Sequence, residues 1–294
     1  MELFLAQLVN GLTIGSTYAL VALGIVLIFS VLDVMSVAQG EILIAAAYIG
    51  LVWFFHKVTN NLYVCMLVVV LASLAIGLLT ERLAVRPALH GGHLGTLIST
   101  FGVGLILANG IQILAGPDTQ LVPNNAAVAP LFRIAGVSIT PIAIASVLVL
   151  AAGFAFLKFF TEKTRTGSLV RAVAEDSETA AAMGVNVKRV RAATFAAGSL
   201  LAGLAAVLLS LKYGNLTPNL GIGFSLTALT AAIIGGASRV EGAVIVAFFL
   251  GIAETMTTTY LGADFTLLVQ FSLFLLILLV LPEGIFRRTL RRAG

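Results

Sequence analysis

Nine long apolar stretches, separated by short polar breaks, limit this chain to very few architectures. They lie near residues 5–30, 37–55, 62–81, 94–114, 139–158, 193–211, 224–236, 242–260 and 264–282. A helix needs about 20 apolar residues to cross the hydrocarbon of a bilayer. With only 10% charged residues, the 294-residue chain has too little polar surface to cover a soluble fold. The sequence predicts an all-α, polytopic transmembrane helical bundle of eight or nine spans, forming a single domain over residues 1–294.

The run at 224–236 is the shortest of the nine and sets the uncertainty in their number. It is predicted to be either a short crossing or a re-entrant helix. Irregular backbone survives at membrane depth only where other protein shields it, so a re-entrant helix would need neighbours around it. Nine crossings are expected, with eight as the alternative.

Lysine and arginine residues are concentrated on one side of the predicted spans. The segments 82–93, 158–192, 237–241 and 287–292 contain 2, 7, 1 and 4 of them, fourteen in all. The intervening segments contain three, which are Lys57, Arg133 and Lys212. Because cytoplasmic loops carry the excess of positive charge, this asymmetry predicts a cytoplasmic C-terminus and a cytoplasmic loop at 159–192. Nine crossings then place the N-terminus in the periplasm. The net positive charge of the chain is therefore explained by membrane topology and does not indicate a nucleic-acid partner.

One internal stretch, RAVAEDSETAAAMGVNVKRVR at residues 171–191, holds seven charged side chains. Asp176 is a favoured N-cap residue and Gly184 fits the position after a helix C-terminus, so a helix of two to three turns is predicted from 175 to 184. A helix this short is marginal in water and needs a surface to pack on. The residues alone leave two interpretations open: a solvated loop, or a docking helix with an alanine-rich face formed by Ala174, Ala180, Ala181 and Ala182.

Ionisable side chains inside the predicted spans are candidates for function because they are costly there. Asp33 and Glu41 flank the first polar break and are expected to lie at the cytoplasmic interface. Glu254 lies deeper in its run, where it would serve either a pathway or hydrogen bonding within the bundle. Gly235 and Gly236 indicate a hinge or a close approach between helices.

The sequence contains no pattern typical of a catalytic or cofactor site. His90 and His93 lack both the spacing and the additional ligands that a zinc site requires. No G-x-x-x-x-G-K-[ST] motif occurs, so the chain has no P-loop to hold a nucleotide. The chain is therefore predicted not to be an enzyme and to bind no cofactor or metal.

Three blocks resemble the branched-chain amino acid ABC permease family. GSLVRAVAEDSETAAAMGVN, starting at residue 167, resembles the family's cytoplasmic loop, G-x-x-x-R-A-x-A-E-D, an alanine-rich turn and (L/M)-G-I/V-N. GLTIGSTYALVALG, starting at residue 11, resembles the family's opening. SVAQGE resembles its N-F-A-H/Q-G-E, with Ser36 and Val37 as departures. The block from 230 to 254 resembles the family's glycine-rich segment, with Ala237 and Arg239 as departures. The single-module length resembles the H-type permease.

This resemblance implies a permease subunit of an ABC importer for branched-chain or related hydrophobic amino acids in the bacterial inner membrane. It implies pairing with an M-type permease, a periplasmic substrate-binding protein, and two ATP-binding subunits that carry the ATP. The implied docking residues of the ATPase-coupling helix are Glu175, Asp176, Ala180, Ala182, Met183, Gly184 and Asn186. The candidate pathway or hinge residues are Tyr18, Gly235, Gly236 and Glu254.

Other functions stay open at this stage. A stand-alone secondary transporter or channel for small polar solutes would use intramembrane carboxylates such as Glu254 for ion coupling. An ABC permease for urea or short amides would have similar spans. A membrane-embedded hydrolase would depend on His90 or His93.

Overall fold

A computed structural model gives the fold and describes residues 2–34, 36–55, 58, 61–122, 125–134, 137–236 and 239–280. Six of its helices are long and apolar enough to cross a membrane: Glu2–Leu32, Leu62–Ala88, Gly92–Ala115, Pro141–Lys163, Val187–Tyr213 and Val240–Tyr260. Three shorter apolar helices are Gln39–Phe54, Leu220–Ile234 and Ala263–Ile277. Each predicted apolar run corresponds to one of these helices, which confirms an all-α polytopic bundle. The arginine-rich C-terminus lies outside the described residues.

We number the helices in chain order. They are α1 Glu2–Leu32, α2 Gln39–Ala47 with a π-helical continuation Tyr48–Phe54, α3 Leu62–Thr80 with a continuation to Ala88, α4 Gly92–Ala115, α5 Asn125–Val128, α6 Pro141–Lys163, α7 Arg165–Glu175, α8 Ser177–Ala182, α9 Val187–Tyr213, α10 Leu220–Ile234, α11 Val240–Tyr260 and α12 Thr266–Val280. Two small antiparallel pairings join β1 Gln120–Leu121 to β4 Asn215–Leu216, and β2 Phe132–Ile134 to β3 Val137–Ile139.

Helix α1 is the central element of the bundle and is buried along most of its length. Small residues let the backbone of α11 approach it: a Cβ added at Gly11 would lie 2.7 Å from Ile252 Cα, and one at Gly15 would lie 2.8 Å from Phe248 Cα. On another face, a Cβ at Gly24 would lie 2.8 Å from the carbonyl oxygen of Gly198 in α9. The small-residue spacing in α1 therefore serves close packing within this chain.

The polar connections sort to two ends of the bundle. The pairing of β1 with β4 brings the segment after α4 beside the segment after α9. At the opposite end, the Nδ1 atom of His93 lies 2.9 Å from the carbonyl oxygen of Asp33. Arg191 lies there within electrostatic range of Glu81 and Arg86. Segments 82–93 and 158–192, which the charge count assigned to one side, thus share an end. The identity of that side stays a prediction.

Helix α2 begins inside the bundle. The hydroxyl of Ser225 in α10 accepts a hydrogen bond of 2.8 Å from the amide of Gly40 and donates one of 2.6 Å to the carbonyl of Val37. A Cβ at Gly40 would lie only 2.2 Å from the carbonyl oxygen of Gly221, so the two short helices are in backbone contact. The α1–α2 break, defined here as residues 36–41, is held at depth by α10.

Candidate functional site

The side chain of Glu254 belongs to a hydrogen-bonded network that joins four helices. Its Oε2 atom accepts a hydrogen bond of 2.5 Å from the hydroxyl of Tyr18 in α1 and one of 3.1 Å from the Nε2 atom of Gln270 in α12. The hydroxyl of Thr227 in α10 donates to the Oε1 atom of Gln270 at 3.3 Å. The Tyr18 ring also packs on Phe224, with ring centroids 4.9 Å apart. We call these polar side chains the Glu254 network.

The network unites two of the candidate pathway residues, Tyr18 and Glu254, which lie 236 positions apart in the chain. Its members satisfy one another, so the geometry favours the hydrogen-bonding interpretation of Glu254. A buried polar network with its members paired rigidifies the helices that carry it. A role for Tyr18 and Glu254 in a transport pathway stays a prediction.

Glu41 occupies a very different setting. Its side chain is 2% exposed, and neither carboxylate oxygen has a hydrogen-bond partner among the described residues. Two glycines flank it: a Cβ added at Gly104 of α4 would lie 3.3 Å from its Cγ atom, and one at Gly221 of α10 would lie 2.4 Å from its Oε2 atom. Gly104 is near the middle of α4, so the carboxylate lies at membrane depth.

The expectation that Glu41 lies at the cytoplasmic interface is wrong. The physical reason is that the chain turns back into the bundle after α1, and Ser225 holds α2 so that its first turn is buried. The side chain of Asp33 is 77% exposed and lies 3.9 Å from the Nε2 atom of His93, and its place at the cytoplasmic interface stays a prediction.

Unpaired buried polar side chains are concentrated in the α1–α2 break. Besides Glu41, the hydroxyl of Ser36 and the carboxamide of Gln39 have no hydrogen-bond partner among the described residues, and both are fully buried. Elsewhere in the described part of the chain, only Arg191 and Ser199 contribute such atoms. Almost all buried polar groups in folded proteins are paired, so a cluster of exceptions indicates a place where a ligand or partner completes the pairing.

The predicted helix caps near residue 176 are confirmed. The Oδ1 atom of Asp176 accepts hydrogen bonds from the amides of Glu178 at 2.9 Å and Thr179 at 3.1 Å. These bonds, with a further one from the Thr179 hydroxyl, lower the pKa of Asp176. Gly184 has a φ of +88°, which favours glycine, and its amide donates to the carbonyl of Ala181. Met183, at the end of α8, is 70% exposed.

The structure corrects the extent of this helix. Asp176 has an extended backbone (φ −155°, ψ 108°), so one continuous helix does not form: Glu175 ends α7, and α8 has six residues. Ala180 is 1% exposed and packs against the chain's own core, which removes it from the predicted docking face. Asn186 caps α9 by accepting from the amide of Arg189. Ala182 stays exposed. The docking role of the other six residues stays a prediction.

Gly235 and Gly236 form the turn between α10 and α11. A Cβ at Gly235 would lie 2.3 Å from the amide nitrogen of Ala243, and Gly236 has a φ of +87°. Both glycines are therefore required by close packing and by the turn itself. Their predicted role as a hinge is not needed to explain them and stays a prediction.

Within the described ranges, no group of three or more His, Cys, Asp and Glu residues is placed to hold a metal ion. His93 contacts Asp33, and the side chain of His90 lies outside the described part of the chain. The side chain of Cys65 is buried.

Comparison with known proteins identifies relatives along nearly the whole chain. The family model described as "Branched-chain amino acid transport system / permease component" matches residues 7–280. The high-affinity branched-chain amino acid transport system permease protein LivH of Escherichia coli K12 is 33% identical over 296 residues, covering 97% of this chain and 96% of that protein. LivH of Salmonella typhimurium and BraD of Pseudomonas aeruginosa are each 32% identical over the same shares of the two chains.

Two solved structures share the fold at low sequence identity. PsaBC from Streptococcus pneumoniae, in complex with Fab, has a TM-score of 0.50 and 14% identity, covering 95% of this chain and 91% of that one. An inward-facing putative metal-chelate type ABC transporter has a TM-score of 0.51 and 15% identity, covering 94% and 86%. The extent of the family match and the identity to its members show that this chain belongs to the branched-chain amino acid transport permease components, of the LivH type.

Proposed function

We propose that this chain is the membrane-spanning permease subunit of an ABC importer that moves branched-chain amino acids across the bacterial inner membrane. The single observation that carries the proposal is the full-length similarity, at 32–33% identity, to permease proteins of high-affinity branched-chain amino acid transport systems. The polytopic bundle supports it, because such a subunit must supply the pathway. The proposed complex contains a second permease, two ATP-binding subunits and a periplasmic substrate-binding protein.

The proposed contact with the ATP-binding subunits is the short helix α8. Asp176 and Gly184 mark its two ends, and its inner face is anchored by buried Ala180. Its outer face exposes Ala182 and the flexible, apolar side chain of Met183, which suits a groove on another protein. Because α8 is fixed to α7 and α9, a push on its outer face is passed to helices of the bundle.

Co-purification and reconstitution test this function. A tagged form of the chain is expected to bring down an ATPase. Reconstituted complex is expected to accumulate labelled leucine only when ATP is inside the vesicle and a leucine-loaded binding protein is outside. A matched pair of variants probes the contact: Met183→Asp should reduce assembly, whereas Met66→Leu in the apolar α3 should leave assembly unchanged. Leucine uptake without ATP would contradict the proposal.

A second candidate function has one observation in its favour. A stand-alone secondary transporter would need titratable groups within the spans, and Glu41 is buried there while Glu254 is partly buried. In that case the isolated chain would take up solute under a proton or sodium gradient, with no ATP. Urea or acetamide in place of leucine, in the same vesicles, tests the related proposal of a short-amide permease.

A further inference from the structure

The unpaired carboxylate of Glu41 is the feature of this molecule that most requires an explanation. A charged group taken out of water is strongly disfavoured unless an opposite charge or hydrogen-bond donors accompany it. The residues described supply neither: both oxygens lack partners. The two ion pairs among the described residues, Arg86 with Glu81 and His93 with Asp33, leave Glu41 out. Because Glu41 is buried without a partner among the described residues, it is a candidate to bind a ligand.

The surroundings of Glu41 place the backbone of two glycines, and no side chain from these two positions, against both flanks of its side chain. Gly104 and Gly221 present bare backbone on both sides, because any Cβ at Gly221 would lie 2.4–2.7 Å from the carboxylate atoms. The carboxylate therefore lies between α4 and α10 with no side chain between it and either helix. Ser225 fixes the first turn of α2 from α10, so the position of the carboxylate is set by hydrogen bonds to the backbone.

The neighbouring unpaired groups, on Ser36 and Gln39, are uncharged. Gln39 lies two positions before Glu41 in α2, and side chains two apart on a helix do not face each other. When it is ionised, the Glu41 carboxylate therefore presents a single negative charge. A divalent cation is a poor match, since calcium and magnesium take six or more oxygen ligands. A compact cation with a single charge, such as a primary ammonium group, matches one isolated carboxylate.

We propose that Glu41 receives the α-ammonium group of an amino acid as the substrate passes between α2, α4 and α10. The inference rests on the proposed function, because that function supplies an amino acid as the substrate. In the conformation described the site is closed, with Glu41 2% exposed. Separation of the two short helices α2 and α10, which touch through Gly40 and Gly221, opens it. The substrate's ammonium then neutralises the charge for the duration of its passage.

A binding assay tests the inference apart from transport. The assembled complex is purified without the binding protein, and its thermal unfolding midpoint is measured with millimolar leucine, 3-methylbutylamine or 4-methylpentanoate. The first two carry an ammonium group, and the third carries only a carboxylate. A ligand that binds only the folded complex raises the midpoint. Leucine and 3-methylbutylamine are expected to raise it in the wild type, and 4-methylpentanoate is not.

Two substitutions at the site and one matched control complete the test. Glu41→Gln should abolish both shifts, Glu41→Asp should retain part of them because it keeps the charge, and Glu254→Gln should retain them in full. The inference is overturned if 4-methylpentanoate raises the midpoint as much as leucine, if Glu41→Gln keeps the shifts, or if no ligand shifts the wild type. Absence of ATP-driven leucine uptake, with the amine shift present, would instead count against the proposed function and leave the ammonium site standing.

Discussion

Glu254 and Glu41 are both carboxylates packed among apolar helices, the first partly buried and the second almost completely buried, yet their hydrogen bonding is opposite. Glu254 accepts hydrogen bonds from Tyr18 and Gln270 and so ties α1, α11 and α12 together. Glu41 has no hydrogen-bond partner in the described part of the chain and lies between two glycines. The contrast teaches that depth alone does not identify a working residue in a membrane protein. A partnered carboxylate stabilises the bundle, whereas an unpartnered one is held ready for a ligand.

The largest expected effect comes from narrowing the space beside Glu41. Gly221→Ala puts a Cβ 2.4 Å from the Oε2 atom of Glu41, and the flexible side chain must move away. A displacement of about 1 Å can reduce activity by about a hundredfold, and we expect ATP-driven leucine uptake to fall by about that factor. Alanine favours a helix over glycine by about 1 kcal/mol, which offsets part of the cost of displacing the buried side chain, so the change in the unfolding midpoint should be small.

The control for that variant lies two positions along the same helix. A Cβ added at Gly223 meets nothing within 4 Å, so Gly223→Ala should leave uptake at the wild-type rate. Equal losses in the two variants would mean that α10 is sensitive to any added methyl group, and the contrast between Glu41 and Glu254 would lose its support.

The next effect is on stability and falls on the Glu254 network. Tyr18→Phe removes the donor to Glu254, and Glu254→Gln replaces the carboxyl group with an amide that has one acceptor oxygen. Each is expected to lower the free energy of unfolding by about 1–2 kcal/mol, since hydrogen bonds between membrane helices contribute about that much. A double-mutant cycle in detergent should show a coupling of at least about 0.5 kcal/mol. Additive effects would mean that the two side chains act independently.

A smaller effect is expected at the edge of the same network. Thr227→Val removes a hydroxyl whose bond to Gln270 is long, at 3.3 Å, and which also bonds to the carbonyl of Gly223. The loss of stability should be about 0.5 kcal/mol, measured as the unfolding midpoint in detergent. Thr230→Val, whose hydroxyl bonds only to the Leu226 carbonyl of its own helix, is the control and should change stability less.

The smallest effect is expected at Asp176, a carboxylate on the protein surface, and it extends the comparison of carboxylates to an exposed one. Asp176 caps α8, and its hydrogen bonds lower its pKa in the folded protein. The stability that this cap gives is therefore present at pH values above the pKa of Asp176 in the unfolded chain. It is lost as the pH falls through the lower pKa of Asp176 in the folded protein. At pH 7, Asp176→Ala should speed hydrogen exchange at the amides of Glu178 and Thr179, while Asp176→Asn, which still caps, should change it less. If hydrogen exchange at these two amides were unchanged in both variants, Asp176 would not stabilise the first turn of α8.

Features set by local chemistry were predictable from the sequence. The apolar runs gave the nine apolar helices, and Asp176 and Gly184 were recognised as helix-end residues because each acts on neighbours only a few positions away. The separate helix α7 before Asp176 was not predicted, and the helix predicted from 175 to 184 is shorter, at Ser177–Ala182. Asp176 can cap α8 only by leaving the helical conformation, which ends α7 at Glu175.

Features set by distant contacts were not predictable. Tyr18 and Glu254 were each singled out for their polarity, but no spacing rule relates residues 236 positions apart. Glu41 was misplaced because its segment, SVAQGE, has the polar composition of an interfacial loop. Its burial depends on Ser225, almost two hundred residues further along the chain, which holds the first turn of α2 inside the bundle.

The initial rate of ATP-driven leucine uptake by the Glu41→Gln and Glu254→Gln complexes, in matched vesicles, tests the contrast most directly. The account predicts that Glu41→Gln loses uptake by at least about tenfold, a difference of about 1.4 kcal/mol, while its unfolding midpoint is unchanged or raised. It predicts that Glu254→Gln unfolds at a lower temperature but keeps most of its uptake. Wild-type uptake by Glu41→Gln, or loss of uptake by Glu254→Gln without loss of stability, would contradict it.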